Sequence, residues 1–339
     1  MTAAPAQQPN PLPLFENVTA YQRSEAIKAA VELDIFTAIG QGHDTPAKLA
    51  AQRGVAARGA RILCDFLTVH NLLTKHGERY ALTPDTAMFL DRRSLAYMGG
   101  TLQFLLTPGL TDHFRDLAVA VRKGGTAATT EGTISPENPV WVEFARAMAP
   151  MMAFPAEGIA ELLRAHEGGG CKVLDIAAGH GLFGIAIARR NPQARVVAVD
   201  WRNVLEVAKE NAQQAGVGQR YRTMPGSAFD VDFGADYDIA LLTNFLHHFD
   251  VPTCEKLLRK VHAALAPGGR VATLEFVPND DRVSPPAQAT FALAMLATTP
   301  AGDAYTFAEL ERMFRNAGFA RSEMHALPPS FQHVVISTK

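Results

Sequence analysis

The chain has 339 residues, 47% of them hydrophobic and 19% charged, a composition that excludes a disordered polypeptide and leaves room for two domains. The formal net charge of −2 supplies no global attraction to nucleic acid or to an anionic membrane, and no apolar run is long enough to span a bilayer. Three cysteines, Cys64, Cys171 and Cys254, are an odd number, far apart and without a CxxC pair, which reads as reduced thiols rather than a metal or disulfide framework.

The first 14 residues, MTAAPAQQPNPLPL, are proline-rich. They lack the basic start and apolar block of a signal peptide, and read as a flexible tail on a cytoplasmic protein. Residues 15–95 read as a small helical domain. Asp44-Thr45-Pro46 is a helix start, with a cap residue and then proline at the first helical position, and the helix ends at Gly54. A second helix from Arg58 carries Ile62, Leu63, Phe66, Leu67 and Leu73 at near-helical spacing. LLTKHGERYALT follows, with His76-Gly77 as a hairpin turn. Helix, turn, helix and hairpin make a winged-helix pattern. DNA binding would need a basic second helix, whereas this one offers Arg58 and Arg61 among apolar residues, so a packing and dimerisation module is favoured.

Residues 96–166 read as a helical connector, with a loop from Gly124-Gly125 through Pro136. The apolar segment 141–163 is expected as a helix interrupted at Pro150 and Pro155. Its methionines, Met148, Met151 and Met152, fit either a core or the wall of a substrate pocket.

The remainder, 167–339, alternates strands and helices, which implies a parallel sheet covered on both faces. Its most informative stretch is KVLDIAAGHGLFGIAIARRNPQARVVAVD, from Lys172 to Asp200. A buried strand, a small-residue loop containing Gly179 and Gly181, a helix to Arg190 and a second strand ending on Asp200 form the front half of a nucleotide-binding βαβ unit. Gly179, Gly181 and Gly184 also spell the dinucleotide pattern GxGxxG, which alone is a weak signal. Asp175 stands at the end of the first strand, where its charge would repel a pyrophosphate but suit a ligand ammonium. That position favours an amino-acid-bearing nucleoside over NAD. It is equally suited to capping the amides of the loop.

Later elements follow in the same alternation. A helix runs to Gly216, a short strand lies near Tyr221, and Gly226-Ser227-Ala228-Phe229 comes next. The strand Tyr237–Leu242 enters TNFLHHFD, in which Asp250 reads as the cap of a helix from about Thr253. Pro267-Gly268-Gly269 turns into a strand from Arg270 to Phe276. A helix at 306–317 carries a Thr306/Glu309 capping box, and segments near 321–327 and 331–337 pair as an edge hairpin. Asp175, Asp200, Ser227 and His247 each follow a strand, on the rim where such sheets bind ligands.

The order of Gly loop, ribose acid, GxxF segment, His in an LHxF block, PGG turn and terminal hairpin, behind a winged-helix pattern, resembles the class I S-adenosylmethionine-dependent O-methyltransferases of plant-caffeate and bacterial-polyketide type. The resemblance covers about residues 15–337. The combination of the FARAM segment, the LHHFD block and the APGGR turn makes it specific. It implies an α/β fold, a Rossmann-like seven-stranded methyltransferase domain behind a mainly helical winged-helix domain, assembled as a homodimer. It places Gly179 and Gly181 against the methionine part of S-adenosylmethionine, Asp200 on the ribose hydroxyls, Trp201 on adenine, Gly226 to Phe229 (with Ser227 and Ala228) along the adenine edge, and Thr243 near the cofactor carboxylate. It makes His247 the general base, steered by Glu275, with no metal required. The sequence departs from the family at Ala177, at Ser227, at His248, which replaces the acid after the base, and at Ala304, where the second steering glutamate would stand. Asp303 lies beside that last position.

Taken alone, a histidine at this strand end also suits simple packing near a cofactor. Phe144, Met148 and Met152 together with Phe291 and Met295 outline a hydrophobic pocket, which suits a small aromatic or polyketide-like acceptor. The expected activity is therefore methyl transfer to a hydroxyl of such a molecule. A ligand-sensing transcriptional regulator and an NAD-dependent oxidoreductase are the rival readings.

Overall fold

The computed structural model describes residues 9–128, 137–165, 167 and 169–339. The chain forms two compact units, residues 1–107 and 108–339. Part of the loop expected between Gly124 and Pro136 lies outside the described residues.

The first unit holds α1 (Leu12–Val18), α2 (Tyr21–Glu32), α3 (Ile35–Gly40), α4 (Pro46–Arg53), α5 (Ala57–Val69), the hairpin β1 (Leu73–His76) and β2 (Arg79–Leu82), α6 (Pro84–Phe89) and α7 (Gly99–Leu105). Helix α1 opens at Leu12, inside the stretch expected as a tail. Thr45 caps α4 by accepting the Lys48 amide at 3.3 Å, and Pro46 follows it. Helix α5 stops before Leu73, which the spacing had placed on the same helical face. Asn71 takes a left-handed conformation (φ 60°), a state asparagine tolerates, and it turns the chain so that Leu73 starts the hairpin. Ile35, Phe36, Leu49, Leu67 and Leu73 fill the core. Arg61 is paired with Asp65 at 3.0 Å, which further reduces the basic character of α5. Several large apolar residues of this unit, Leu12, Phe15, Val18, Tyr21 and Ile62, are exposed. An open groove of about 350 Å³ is lined by Gln22, Ala26, Gly59, Ile62, Leu63 and Phe66.

The second unit opens with α8 (Pro108–Thr111), α9 (Leu117–Lys123) and α10 (Val140–Leu162). Helix α10 runs unbroken through Pro150 and Pro155, contrary to the expected interruption. Each proline removes a backbone hydrogen bond. The face carrying Met148, Met152, Ile159 and Ala160 is buried in the core against α11 and α12, and burial of a large apolar side chain contributes about 1.5–3 kcal/mol. Tertiary packing therefore holds the helix together.

Next come β3 (Lys172–Ile176), α11 (Leu182–Arg190), β4 (Arg195–Asp200), α12 (Arg202–Gln214), β5 (Tyr221–Pro225), β6 (Tyr237–Thr243), α13 (Val251–Ala264), β7 (Leu265–Glu275), α14 (Pro286–Ala289), α15 (Phe291–Thr298), α16 (Phe307–Asn316), β8 (Arg321–Ala326) and β9 (His333–Thr338). Seven strands form one sheet in the order β5-β4-β3-β6-β7-β9-β8. The first five of these are parallel, and β9 and β8 add the expected antiparallel edge hairpin. Strand β7 begins before the PGG turn: Tyr237 pairs with Leu265 and Ile239 with Arg270, so the turn is a bulge within the strand rather than its start. Asp250 caps α13 by accepting the Thr253 amide at 2.9 Å, and the Thr306/Glu309 capping box opens α16. One sheet face packs on α10, α11 and α12, the other on α13 and α16.

Candidate active site

Strand order reverses between β3 and β6, so a crevice is expected at their carboxyl ends. The Gly loop leaves β3 there, and residues 244–250 leave β6. The parallel register pairs Thr243 with Leu274, which brings Glu275 alongside the turn that follows β6.

That register explains the most tightly built feature of the site. Glu275 is buried, and its Oε1 accepts the amides of Phe245 at 3.1 Å and Leu246 at 2.9 Å. Its Oε2 lies 2.5 Å from Nδ1 of His247, which is also buried. A carboxylate can only accept, so Nδ1 carries the hydrogen, and in the neutral imidazole Nε2 then keeps a lone pair. The main-chain carbonyl of His247 accepts the Asp303 amide at 3.0 Å. The Asp303 carboxylate, beside the position of the absent second glutamate, is paired with Arg282 at 3.2 Å, and the hydrogen-bond partner of the His247 ring is Glu275. His248 is held well below the ordinary histidine range, first by burial and then by the neighbouring His247. Its ring stands edge-on to Trp141 at 5.4 Å.

The three glycines of GxGxxG fall into two roles. A side chain at Gly181 would strike Tyr221 and Ala208, and one at Gly184 would strike Val196 and Asp175. These two are glycine because protein packs against them. Gly179 (φ +55°) faces open space, with nothing nearer than the Ala177 carbonyl at 3.9 Å, which leaves its backbone open to a ligand. The side chain of Asp175 shares a sheet face with Val173. It is fully buried and accepts the Gly184 amide at 3.1 Å, an orphan donor at the start of α11. The amide that Asp175 caps therefore lies in the first turn of α11, not in the Gly loop where a capping role was weighed. Its Oδ1 has no partner, and burial pushes the carboxyl up to about 8. Asp200 accepts the amides of Gly179 at 2.8 Å and Trp201 at 2.7 Å, yet burial prevails and raises it to about 6.

Gly226 is tied to this corner, its amide donating to the Asp200 carbonyl at 2.9 Å. Ser227 Oγ accepts the Phe229 amide, Ala228 offers its carbonyl to Lys260, and the Phe229 ring meets Phe249 at 5.0 Å. Trp201 caps α12 at its start and packs with Trp141, Val142, Ala145, Val204 and Val207. Thr243 is buried at the end of β6.

Among the residues expected to wall a pocket, Phe291 comes nearest the base, with its ring edge-on to His247 at 4.9 Å. Met295 is buried one helical turn further along. Met148 and Met152 lie in the main core, and Phe144 packs against it; the Met152 sulfur also accepts from Asn244 at 3.6 Å. Sequence reasoning missed Phe276, which stacks on Phe291 at 3.7 Å and 10°, and Phe331, 5.6 Å from Phe276. It also missed Asn244 and Gln332, joined by an amide hydrogen bond. Phe276 follows Glu275 directly and was within reach of a local reading, whereas nothing local connects Gln332 to Asn244.

Residues 134–320 match the O-methyltransferase domain, and residues 15–92 match the O-methyltransferase dimerisation domain. The chain belongs to the O-methyltransferase family. It is 28% identical over 313 residues, 90% of each chain, to the tetracenomycin polyketide synthesis 8-O-methyl transferase of Streptomyces glaucescens. It is 27% identical to the 3-hydroxy-5-methyl-1-naphthoate 3-O-methyltransferase of Streptomyces sahachiroi, over 94% of this chain and 92% of that one. A crystal structure from Nostoc punctiforme PCC 73102, whose own O-methyltransferase assignment is provisional, is 57% identical, with a TM-score of 0.95 over 98% of this chain and 100% of that one. The methyltransferase is therefore an enzyme that uses S-adenosylmethionine, and the regulator and oxidoreductase readings are set aside. Its N-terminal domain is of the dimerising kind, which supports a homodimer. Among the described residues, no helix is long and apolar enough to cross a membrane.

The residues of the crevice fit that cofactor. Gly179 leaves open space above the loop, each Asp200 oxygen retains a lone pair beyond the amide it accepts, and Asp175 has an orphan acceptor beneath the loop. Asp200→Ala is expected to weaken binding of S-adenosylhomocysteine about 10–100-fold by calorimetry, the scale of one or two charged hydrogen bonds. In the wild type the affinity is expected to fall as pH drops through about 6, where Asp200 takes up a proton. Unaltered binding in the variant would separate Asp200 from the ribose.

Asp175 gives a different pH signature. Its ordinary value is 3.8 and its folded value about 8. Between these limits the native state holds a proton that the unfolded chain has released, so its contribution to stability falls as pH rises. Asp175→Asn keeps an acceptor for the Gly184 amide and abolishes the titration. The melting temperature of the variant should gain on the wild type between about pH 4 and pH 8 and stay level with it above that. A constant difference across that range would show that Asp175 is ionised in the native protein.

Proposed function

We propose that this methyltransferase moves a methyl group to a hydroxyl of a small hydrophobic aromatic molecule, with His247 as general base and Glu275 as the residue that orients it. The reading rests on one observation above the others: both oxygens of Glu275 are committed, Oε1 to the amides of Phe245 and Leu246 and Oε2 to Nδ1 of His247. The ring is thereby fixed in the tautomer whose Nε2 accepts a proton. S-adenosylmethionine supplies a methyl group on a positively charged sulfur. The contribution of the chain is to deprotonate the attacking oxygen. A hydroxyl placed at Nε2 loses its proton there as it becomes a nucleophile, and the imidazolium formed is stabilised by the buried Glu275 carboxylate. Asp200, Gly179 and Trp201, the Gly226–Phe229 segment and Thr243 would hold the cofactor, with Asp175 supporting the loop from below.

The aromatic acceptor is supported by the Phe276–Phe291 stack beside His247 and by curated relatives whose names specify polyketide and naphthoate hydroxyls. Phe144, Met148, Met152 and Met295 would complete the apolar wall, and the exposed groove of the first unit would be covered by a second copy of the chain. The test is transfer of labelled methyl to matched naphthols, naphthylamines and thionaphthols. Label in the ether product supports oxygen as the accepting atom. Label confined to nitrogen, sulfur or ring carbon overturns it.

A further inference from the structure

We propose that Gln332 and Asn244 form a polar subsite that accepts a hydrogen bond from a second hydroxyl of the aromatic acceptor, one that is not methylated. The inference rests on the aromatic-hydroxyl reading given above.

Gln332 is 1% exposed, and its Oε1 has no partner. Its Nε2 donates to Asn244 Oδ1, and Asn244 Nδ2 donates to the Met152 sulfur at 3.6 Å. Turning both amides over would set Asn244 Oδ1 against the sulfur, acceptor against acceptor. The observed orientation is therefore the favoured one, and the atom left over is an oxygen. A buried acceptor with no donor is costly, so a retained one calls for a partner.

The pair belongs to the same rim as the base. Asn244 follows the last residue of β6, stands three positions before His247, and donates its amide to the Leu274 carbonyl at 2.8 Å. Phe331, next to Gln332, meets Phe276, which stacks on Phe291, which in turn faces His247. An aromatic acceptor lying along these rings with one hydroxyl at His247 has the amide pair at its edge. The chemistry of the free atom selects the ligand: a neutral oxygen takes a hydroxyl or N–H donor and disfavours a carboxylate or a ketone.

The test compares kcat/KM for 1-naphthol with that for a set of dihydroxynaphthalenes, using the full-length enzyme and S-adenosylmethionine. In the wild type at least one dihydroxy isomer should be preferred about tenfold or more, the scale of one buried hydrogen bond to substrate. In Gln332→Leu that ratio should fall to about one. Gln332→Met serves as a second apolar variant should the leucine chain fold poorly. Calorimetric affinity for S-adenosylhomocysteine reports whether each variant is intact. A ratio preserved in both Gln332→Leu and Gln332→Met overturns the subsite, as does a wild type that methylates 1-naphthol and every dihydroxy isomer equally. In both cases the aromatic-hydroxyl reading stands. A wild type that methylates none of these compounds overturns that reading and the subsite with it.

Discussion

Replacing His247 with alanine is expected to lower kcat about 10²–10⁴-fold, the usual scale of a lost general base. Affinity for S-adenosylhomocysteine should change little, because the groups nearest the Gly loop, Asp200 and Asp175, make none of their hydrogen bonds to His247. The size of the effect follows from the chemistry of the nucleophile. A phenolic hydroxyl has a pKa well above neutral, so at working pH almost none of it is ionised. Without an acceptor at Nε2, the reaction depends on that small fraction or on water. Holding the reactants together still contributes, so activity should drop to a floor rather than vanish. The deficit should shrink as pH rises toward the pKa of the acceptor, because a pre-formed phenolate needs no base. Steady-state methyl transfer to a naphthol across a pH series reads both effects. A variant with wild-type kcat would remove His247 from the chemistry and leave it a packing role beside Phe291.

Much of this architecture was legible in the sequence because it is encoded locally. The alternation of apolar strands with helices between Lys172 and Glu275 fixed a parallel sheet, and the Gly loop together with Asp200 marked one side of the switch point. His247 and Glu275 were legible as strand-end residues, and the register of β6 on β7 then brought them together. What escaped depended on packing. The prolines of α10 signalled an interruption, which the buried face of that helix overrides. Leu73 fitted a helical period until the left-handed Asn71 turned the chain. The glycines of GxGxxG looked alike, yet only at Gly179 does the missing side chain face open space. Asp303 stood beside the vacant glutamate position, but Arg282 claims its carboxylate, and sequence adjacency carries no information about that competition. Gln332 meets Asn244 across 88 positions, a separation that no local pattern reports.

Glu275→Gln separates orientation from packing more sharply than any deletion would. The glutamine carbonyl oxygen can take over the amides of Phe245 and Leu246, so the turn after β6 keeps its anchor. The glutamine NH2 group then faces Nδ1 of His247, and an NH2 group can only donate. Nδ1 must become the acceptor, which moves the hydrogen to Nε2 and leaves no lone pair toward the substrate. A base in the wrong tautomer costs up to about 10⁴-fold in kcat where an analogous carboxylate-to-amide change has been made in a serine protease. A loss of that order is expected here, with the melting temperature close to wild type. Glu275→Ala should instead damage both properties, since two buried amides lose their acceptor at about 2–6 kcal/mol in total, and the imidazole loses its anchor as well. If the glutamine variant keeps wild-type kcat, the buried contact at 2.5 Å holds the fold and not the tautomer. If it loses kcat while retaining its melting temperature, the role of Glu275 is to decide which nitrogen of His247 carries the proton.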